Sequence, residues 1–122
     1  ETIRHSQIKK IISEIKKLNS NLVFLMGDFN SLDFNDYTDD CLNNMRVKSG
    51  KHMPSEMKVL PEIQKYMFDC YKLSSNYKKN PVSVWSLRKV DYIFVNKKIN
   101  VDFRICKNPS SDHNLIHLDC EL

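Results

Sequence analysis

Residues 22–31 read Leu-Val-Phe-Leu-Met-Gly-Asp-Phe-Asn-Ser. The apolar run Leu22–Met26 is short and rich in β-formers, which predicts a strand buried on both faces. Because side chains alternate along an extended backbone, Asp28 and Asn30 should point the same way while Phe29 points into the core. Two interpretations stay open. The pair is either a functional carboxylate and carboxamide at the end of a buried strand, where open α/β folds place their chemistry, or an Asx-type turn that bonds its own backbone.

A helix should precede this strand. Apolar residues recur over residues 3–18 with the spacing of an amphipathic helix; they are Ile8, Ile11, Ile12, Ile15 and Leu18. Residues 19–21 read Asn-Ser-Asn and end the helix. The helix, the short loop and the strand form a unit in which the helix covers one face of a sheet.

Shorter elements are predicted after the strand. The acidic residues that follow Ser31 do not have the order of an EF-hand calcium loop, so we expect them to cap a helix. The predicted elements are a helix over residues 36–45, a loop over 46–58, a helix over 62–68, a polar loop over 71–81 and strands over 82–85, 90–95, 99–105 and 115–122. Together these elements indicate an α/β fold.

The composition is that of one globular domain. The chain has 122 residues, of which 41% are hydrophobic and 28% charged, and a net charge of +4. No apolar run approaches the roughly 18 residues that span a bilayer, and no signal peptide is visible, so we expect no transmembrane segment. The four cysteines form no Cys-x-x-Cys pair. Their spacing argues against a zinc site and favours an intracellular compartment, cytoplasmic or nuclear, over two disulfides.

Two further positions carry candidate chemistry. Asp91 heads an apolar strand, and a buried carboxylate needs a partner; an ion pair with Arg88 or Lys89 is one interpretation. The loop before the last predicted strand reads Ser-Ser-Asp-His-Asn, where a surface histidine is the ordinary interpretation. Asp112 and His113 are adjacent, so their side chains should diverge and contact different groups.

Taken together, these motifs resemble one family. Gly-Asp-Phe-Asn at 27–30, Val-Asp-Tyr-Ile-Phe at 90–94 and Ser-Asp-His at 111–113 occur in this order, each beside a predicted strand. The pattern is similar to the endonuclease/exonuclease/phosphatase superfamily, the DNase I-like group. The resemblance implies a four-layer α/β sandwich whose mixed, largely antiparallel sheets are flanked by helices. Residues 1–122 would be the C-terminal half of one such domain, and the N-terminal half would come from the same parent chain or from a separate one.

The resemblance also implies a role for each motif residue. Asp28 would orient or deprotonate the attacking water, and Asn30 would bind the phosphate. His113 would face the scissile phosphate with Asp91 holding it, while Asp112 would be a metal ligand. The implied cofactor is Mg²⁺ or Mn²⁺. A metal ion and a cationic histidine suit this reaction because in-line attack on a phosphodiester develops negative charge.

The chain departs from the family pattern in two ways. The metal-binding Glu and the early Asn of the family's first half have no counterpart here. We therefore expect residues 1–122 alone to have little or no activity, and one face of the sheet to expose apolar surface. The arginine that the family places two residues before the strand Asp is replaced by Lys89, with Arg88 one position earlier.

The expected function is cleavage of phosphodiester bonds, with nucleic acid as the leading substrate of a nuclease- or deadenylase-like enzyme. Cleavage of a phospholipid, as in sphingomyelinases, or of another small phosphoester is an alternative. A non-catalytic fragment or binding module that kept the fold is a second alternative, and a split enzyme is a third.

Overall fold

The computed structural model describes residues 2–18, 21–49, 57–84 and 88–122. Part of the loop predicted over 46–58 and the last residue of the strand predicted over 82–85 lie outside the described residues. The described chain is a mixed α/β structure with antiparallel sheets.

The elements are short. The helices are α1 (Thr2–Lys16), α2 (Asp39–Ser49), α3 (Val59–Gln64) and α4 (Cys70–Leu73), with a 3-10 turn at Phe34–Asp36. The strands are β1 (Phe24–Asp28), β2 (Phe68–Asp69), β3 (Asp91–Val95), β4 (Val101–Cys106) and β5 (Leu115–Cys120). The last three strands confirm those predicted over residues 90–95, 99–105 and 115–122.

These strands form two antiparallel sheets. In the first sheet β3 is central, with β1 on one side and β2 on the other. In the second sheet β4 and β5 pair with each other along their whole length. The register of the first sheet places Leu25 opposite Phe94 and Asp28 opposite Asp91. Two acidic side chains therefore meet at one end of the sheet.

The alternation of side chains along β3 places the first sheet between two apolar layers. Tyr92 and Phe94 are fully buried against residues of α1 and α3. Ile93 and Val95 point the other way and pack in the cluster that contains Phe103 of β4. The layers are thus helices, first sheet and second sheet, and the polar end of β3 lies beside the loop that leads into β5.

The amphipathic pattern predicted for α1 is confirmed only in part. Ile8 and Ile12 are buried on the first sheet, but Ile11 is 40% exposed and Leu18, beyond the end of the helix, is 46% exposed. At about 100° per residue, Ile11 lies at the edge of the apolar stripe formed by Ile8 and Ile12. That edge points away from the described part of the core.

The prediction that the first strand is buried on both faces is wrong. Within the described residues β1 pairs with a neighbour on one side only, and Met26 is 61% exposed. Phe29 does point into the core as predicted, with its ring edge-on to Tyr92 and Phe94 at centroid distances of 6.0 and 5.6 Å. Gly27 has φ of +152°, a conformation that side-chain-bearing residues rarely adopt.

Three element boundaries differ from the predictions. The sequence predicts a helix over residues 62–68, but α3 begins three residues earlier and ends at Gln64. Pro61 fits in its first turn because the N–H groups there have no helical partner to lose. The helix predicted over 36–45 begins at Asp39, and the loop predicted over 71–81 contains most of α4.

All four cysteines are free. No helix in the described ranges is long and apolar enough to cross a bilayer.

Candidate functional site

The site begins with a pair of like charges. The register of β1 on β3 sets Asp28 directly across from Asp91, and side chains opposite each other on antiparallel strands lie close together. Two facing carboxylates repel each other unless a cation or donor lies between them. This position in the sheet therefore requires a third group.

His113 supplies that group. Its Nδ1 lies 2.9 Å from Asp91 Oδ2, and its Nε2 lies 3.8 Å from Asp28 Oδ2. The loop before β5 also constrains His113, since the His113 backbone N–H donates to Ser111 Oγ at 3.1 Å. The structure thus brings together three of the residues predicted from sequence, which come from β1, from β3 and from the loop before β5.

Ser83 fixes the orientation of Asp91. Its Oγ donates to Asp91 Oδ2 at 2.7 Å and accepts the backbone N–H of Val90 at 3.0 Å. Ser83 is fully buried, and its backbone carbonyl accepts the N–H of Asn114 at 2.7 Å. The sequence analysis missed Ser83, because a lone serine carries no signal until the fold brings it next to the strand Asp.

Asp28 forms the Asx-type turn that one of the two interpretations predicts, and its second oxygen faces the site. Its Oδ1 accepts the backbone N–H of Asn30 at 2.8 Å, which is an Asx-type turn. Its Oδ2 is the oxygen that faces His113. Asn30 has φ of +45°, a left-handed conformation that asparagine tolerates, so the chain leaves the strand direction at this residue.

A cleft of about 390 Å³ opens over this cluster. Its lining residues are Asp28, Asn30, Val84, Arg88, Val90, Asp112 and His113. All of the candidate site residues predicted from sequence therefore line it, except Asp91, which lies behind His113. Asp112 and His113 both lie at this cleft.

The electrostatics favour a charged histidine. The hydrogen bond to Asp91 raises the pKa of His113 above its ordinary 6.5, and the charges of Asp91, Asp112 and Asp28 act in the same direction. The side chain of His113 is 35% exposed, and that of Asp91 is 14% exposed. The Asp91 carboxylate lies on one side of the His113 ring and the open cleft lies on the other. This arrangement is typical of a histidine that presents its Nε2 atom to a ligand.

The same residues could hold a metal ion. Ligand atoms of Asp28, Asp91 and His113 all lie within 4.8 Å of one another. One atom of this group, Asp91 Oδ2, is also bonded to Ser83. Carboxylate and carbonyl oxygens suit Mg²⁺ and Mn²⁺. The two carboxylates and the imidazole are compatible with several divalent ions.

A second charged cluster lies beneath the site. Lys89 is 0% exposed; its Nζ lies 3.3 Å from the Tyr92 ring centroid and 3.8 Å from Asp69 Oδ2. Burial lowers the pKa of Lys89 to about 8, against the opposing pull of Asp69 and Asp36. A buried ion pair of this kind is weak evidence for stability, because desolvation offsets the Coulombic gain. The ion pair between Lys89 and Asp69 does link β2 to the residues just before β3.

Compared with protein-family models, curated proteins and solved structures, the chain has no significant match.

Proposed function

We propose that this chain is part of a divalent-metal-dependent phosphoesterase that cleaves phosphodiester bonds. The observation that carries the proposal is the position of His113, bonded to Asp91 through Nδ1 with Nε2 toward Asp28. A histidine held by one carboxylate and facing a second is suited to acid–base work on a bound anion. The neighbouring amide and carboxylate at the same cleft supply the remaining groups that such a reaction needs.

In the proposed reaction Asp28, Asn30 and His113 have separate roles. Asp28 is half exposed at the cleft and accepts a hydrogen bond from the attacking water, which orients the water and takes up its proton. Asn30 donates its amide to a phosphate oxygen. His113, kept cationic by Asp91, donates from Nε2 to the phosphate as negative charge develops there. The water oxygen bonds to phosphorus as the P–O bond to the leaving oxygen breaks, and the leaving oxygen takes a proton from solvent.

The proposed cofactor is Mg²⁺ or Mn²⁺. Asp112, Asp28 and the side-chain oxygen of Asn30 would hold it, because one oxygen of Asp91 is already bonded to both His113 and Ser83. When bound, the ion stabilises negative charge on the phosphate and lowers the pKa of a bound water.

The proposal includes a complementary segment, in the same parent chain or in a separate one. In the described residues β1 has a strand on one side only, and Met26 beside the site is 61% exposed. A further strand on that edge would pair with the backbone of β1, and a further layer on the same face of the sheet would cover Met26. The helix layer and the two sheets would then form half of a four-layer α/β sandwich of the endonuclease/exonuclease/phosphatase type.

The test is hydrolysis of bis-p-nitrophenyl phosphate and of labelled single-stranded RNA with and without Mg²⁺. The assay compares residues 1–122 with the full-length product, and His113→Ala with His117→Ala as a matched control. His117 also contacts a carboxylate, Asp119, at 3.1 Å, but on the exposed face of β5. We expect Mg²⁺-dependent activity in the full-length product that H113A abolishes and H117A leaves intact.

The other outcomes separate the alternatives. Equal activity in residues 1–122 alone would refute the need for a complementary segment. Loss of activity in both histidine variants would point to a folding effect rather than to chemistry at His113. No hydrolysis of either substrate in the full-length product would favour the non-catalytic binding module.

A further inference from the structure

Three buried polar atoms in the charged cluster beneath the site make no hydrogen bond within the described part of the chain. They are Lys89 Nζ, Asp69 Oδ2 and Asp36 Oδ2. The side chains of Lys89 and Asp36 are 0% exposed, and that of Asp69 is 1% exposed. A buried polar group without a hydrogen bond costs free energy, and a charged one costs more. Three such atoms in one cluster therefore indicate a bound ligand.

The fold holds each of the two carboxylates by its other oxygen. Asp69 Oδ1 accepts the backbone N–H of Tyr71 at 2.9 Å, and Asp36 Oδ1 accepts from Tyr77 Oη at 3.1 Å. Burial raises the pKa of Asp36, and the charge of Lys89 acts against this increase. One oxygen of each carboxylate is thus left over in the electrostatic field of the same ammonium.

The distance between Lys89 and Asp69 fits a bridged contact. Lys89 Nζ lies 3.8 Å from Asp69 Oδ2, whereas a direct N–H···O hydrogen bond ends near about 3.2 Å. Polar groups more than about 3.5 Å apart are often joined by a water molecule that bonds to both. The gap between these two atoms is suited to such a bridge.

The chemistry of the three atoms selects the ligand. They are one donor and two acceptors, which complement a water molecule that accepts one hydrogen bond and donates two. Buried waters in proteins make about three hydrogen bonds. A metal ion would meet the ammonium, and the described residues place no third Asp, Glu, His or Cys ligand atom close enough to Asp36 and Asp69 for a metal site. An anion would meet two carboxylates.

We propose that one buried water molecule bridges Lys89 Nζ, Asp69 Oδ2 and Asp36 Oδ2 in the folded protein. The water joins three segments, which are the 3-10 turn at Phe34–Asp36, β2 and the residues just before β3. This inference does not depend on the proposed function.

The backbone of Lys89 is held at the same point. Its N–H donates to Tyr37 Oη at 2.7 Å, and its carbonyl accepts from Tyr92 Oη at 3.2 Å. Asp91 follows two residues later. The bridging water therefore belongs to the internal support of the strand that carries Asp91.

The first experiment is a high-resolution crystal structure of the full-length protein, grown once in sodium chloride and once in rubidium chloride. We expect a spherical density peak at about 2.7–3.2 Å from all three atoms, without anomalous signal from rubidium. A direct hydrogen bond between Lys89 and Asp69 with no peak between them would overturn the proposal. A rubidium signal at the peak would overturn it as well, because the ligand would then be a cation.

The second experiment counts long-lived waters in solution by oxygen-17 magnetic relaxation dispersion. The variant is Lys89→Arg, since a guanidinium is longer and carries five donors, so that it can bond to both carboxylates and occupy the place of the water. The control is Lys65→Arg, because Lys65 is 60% exposed and pairs with Glu62 at 2.8 Å. We expect K89R to lose about one long-lived water per molecule and K65R to keep the wild-type count.

Cooperative unfolding in urea shows that each variant is folded. An unchanged count of long-lived waters in folded K89R would overturn the proposal. If K89R does not fold, the wild-type crystal structure decides between a bridging water and a direct contact.

Discussion

Asp33 anchors the segment that follows Asn30 and provides a sharp test of how the site is supported. Its side chain is 5% exposed. One oxygen accepts the backbone N–H of Asn35 at 3.0 Å, which caps the 3-10 turn. The other accepts from Gln64 Nε2 at 2.7 Å and from the Lys72 ammonium. The Asp33 backbone N–H also donates to Tyr92 Oη at 3.1 Å, which ties the segment to β3.

Two substitutions separate the charge of Asp33 from its capping role. Asp33→Asn keeps an acceptor for Asn35 but turns an amide toward Gln64 and Lys72, which are both donors. Hydrogen bonds to a charged group contribute about 1.5–3 kcal/mol each, and the contribution of Lys72 is reduced because its side chain is 33% exposed. We expect D33N to lower the free energy of unfolding by about 2–3 kcal/mol. D33A should cost about 1 kcal/mol more through the lost cap.

The pH dependence gives an independent check. Burial works to raise the pKa of Asp33, but hydrogen bonds from Lys72 and Gln64 outweigh it and hold the pKa below its ordinary 3.8. A carboxyl group whose pKa is lower in the folded state stabilises the fold above the unfolded pKa. The difference between wild type and D33N should therefore be full at pH 7 and disappear as the pH falls through the folded pKa.

The assay is urea unfolding at a series of pH values, with Asp119→Asn as a surface control. Asp119 is 70% exposed, and its substitution should change the free energy of unfolding by less than about 0.5 kcal/mol. A D33N cost below that of D119N, or a cost that does not change between pH 7 and pH 2.5, would refute the reasoning.

Three further predictions concern the site itself. Asp91→Asn should lower the pKa of His113, measured by NMR in EDTA. Because that pKa is raised in the folded state, the ion pair stabilises the fold below pH 6.5, and this contribution is lost as the pH rises through the folded pKa. An equal difference in the free energy of unfolding between wild type and D91N at pH 6 and at pH 9 would contradict the prediction. Ser83→Ala should slow hydrolysis by about tenfold or more by freeing Asp91 to rotate, whereas Ser83→Thr keeps the hydroxyl and should restore most of the rate; equal rates in both variants argue against a positioning role. Gly27→Ala should cost about 1–2 kcal/mol in urea unfolding, because φ is +152° while an added Cβ meets nothing within 4 Å, and a neutral result would mean that the backbone relaxes there.

The features of the site that follow from side-chain alternation and from the order of the motifs were predictable from the sequence. Alternation predicts that Phe29 enters the core, and the structure confirms it. The partnership of Asp91 with His113 came from the resemblance of the motifs, since the residues alone left an ion pair with Arg88 or Lys89 open. The structure pairs Lys89 with Asp69 and Asp91 with His113.

The features that depend on tertiary context were not predictable. A lysine next to an arginine indicates a surface, yet Lys89 is fully buried because strand alternation and the Tyr92 ring place it in the core. The apolar run that begins at Leu22 indicates a strand buried on both faces, yet Met26 is 61% exposed, so the described part of the chain leaves that face of β1 largely uncovered at this position. An apolar run in the sequence indicates that a strand can be buried, but it does not identify the segment that packs against it.

In the proposed reaction Asp28 and His113 act on the same phosphate as one unit. The most direct measurement is a double-mutant cycle with Asp28→Asn and His113→Ala on Mg²⁺-dependent hydrolysis by the full-length product. Each single substitution should lower the rate by about 10²–10⁴-fold, and the double variant should be little worse than either, because groups that serve one step are strongly non-additive. Losses that multiply in the double variant, or a single variant that keeps the wild-type rate, would contradict the account.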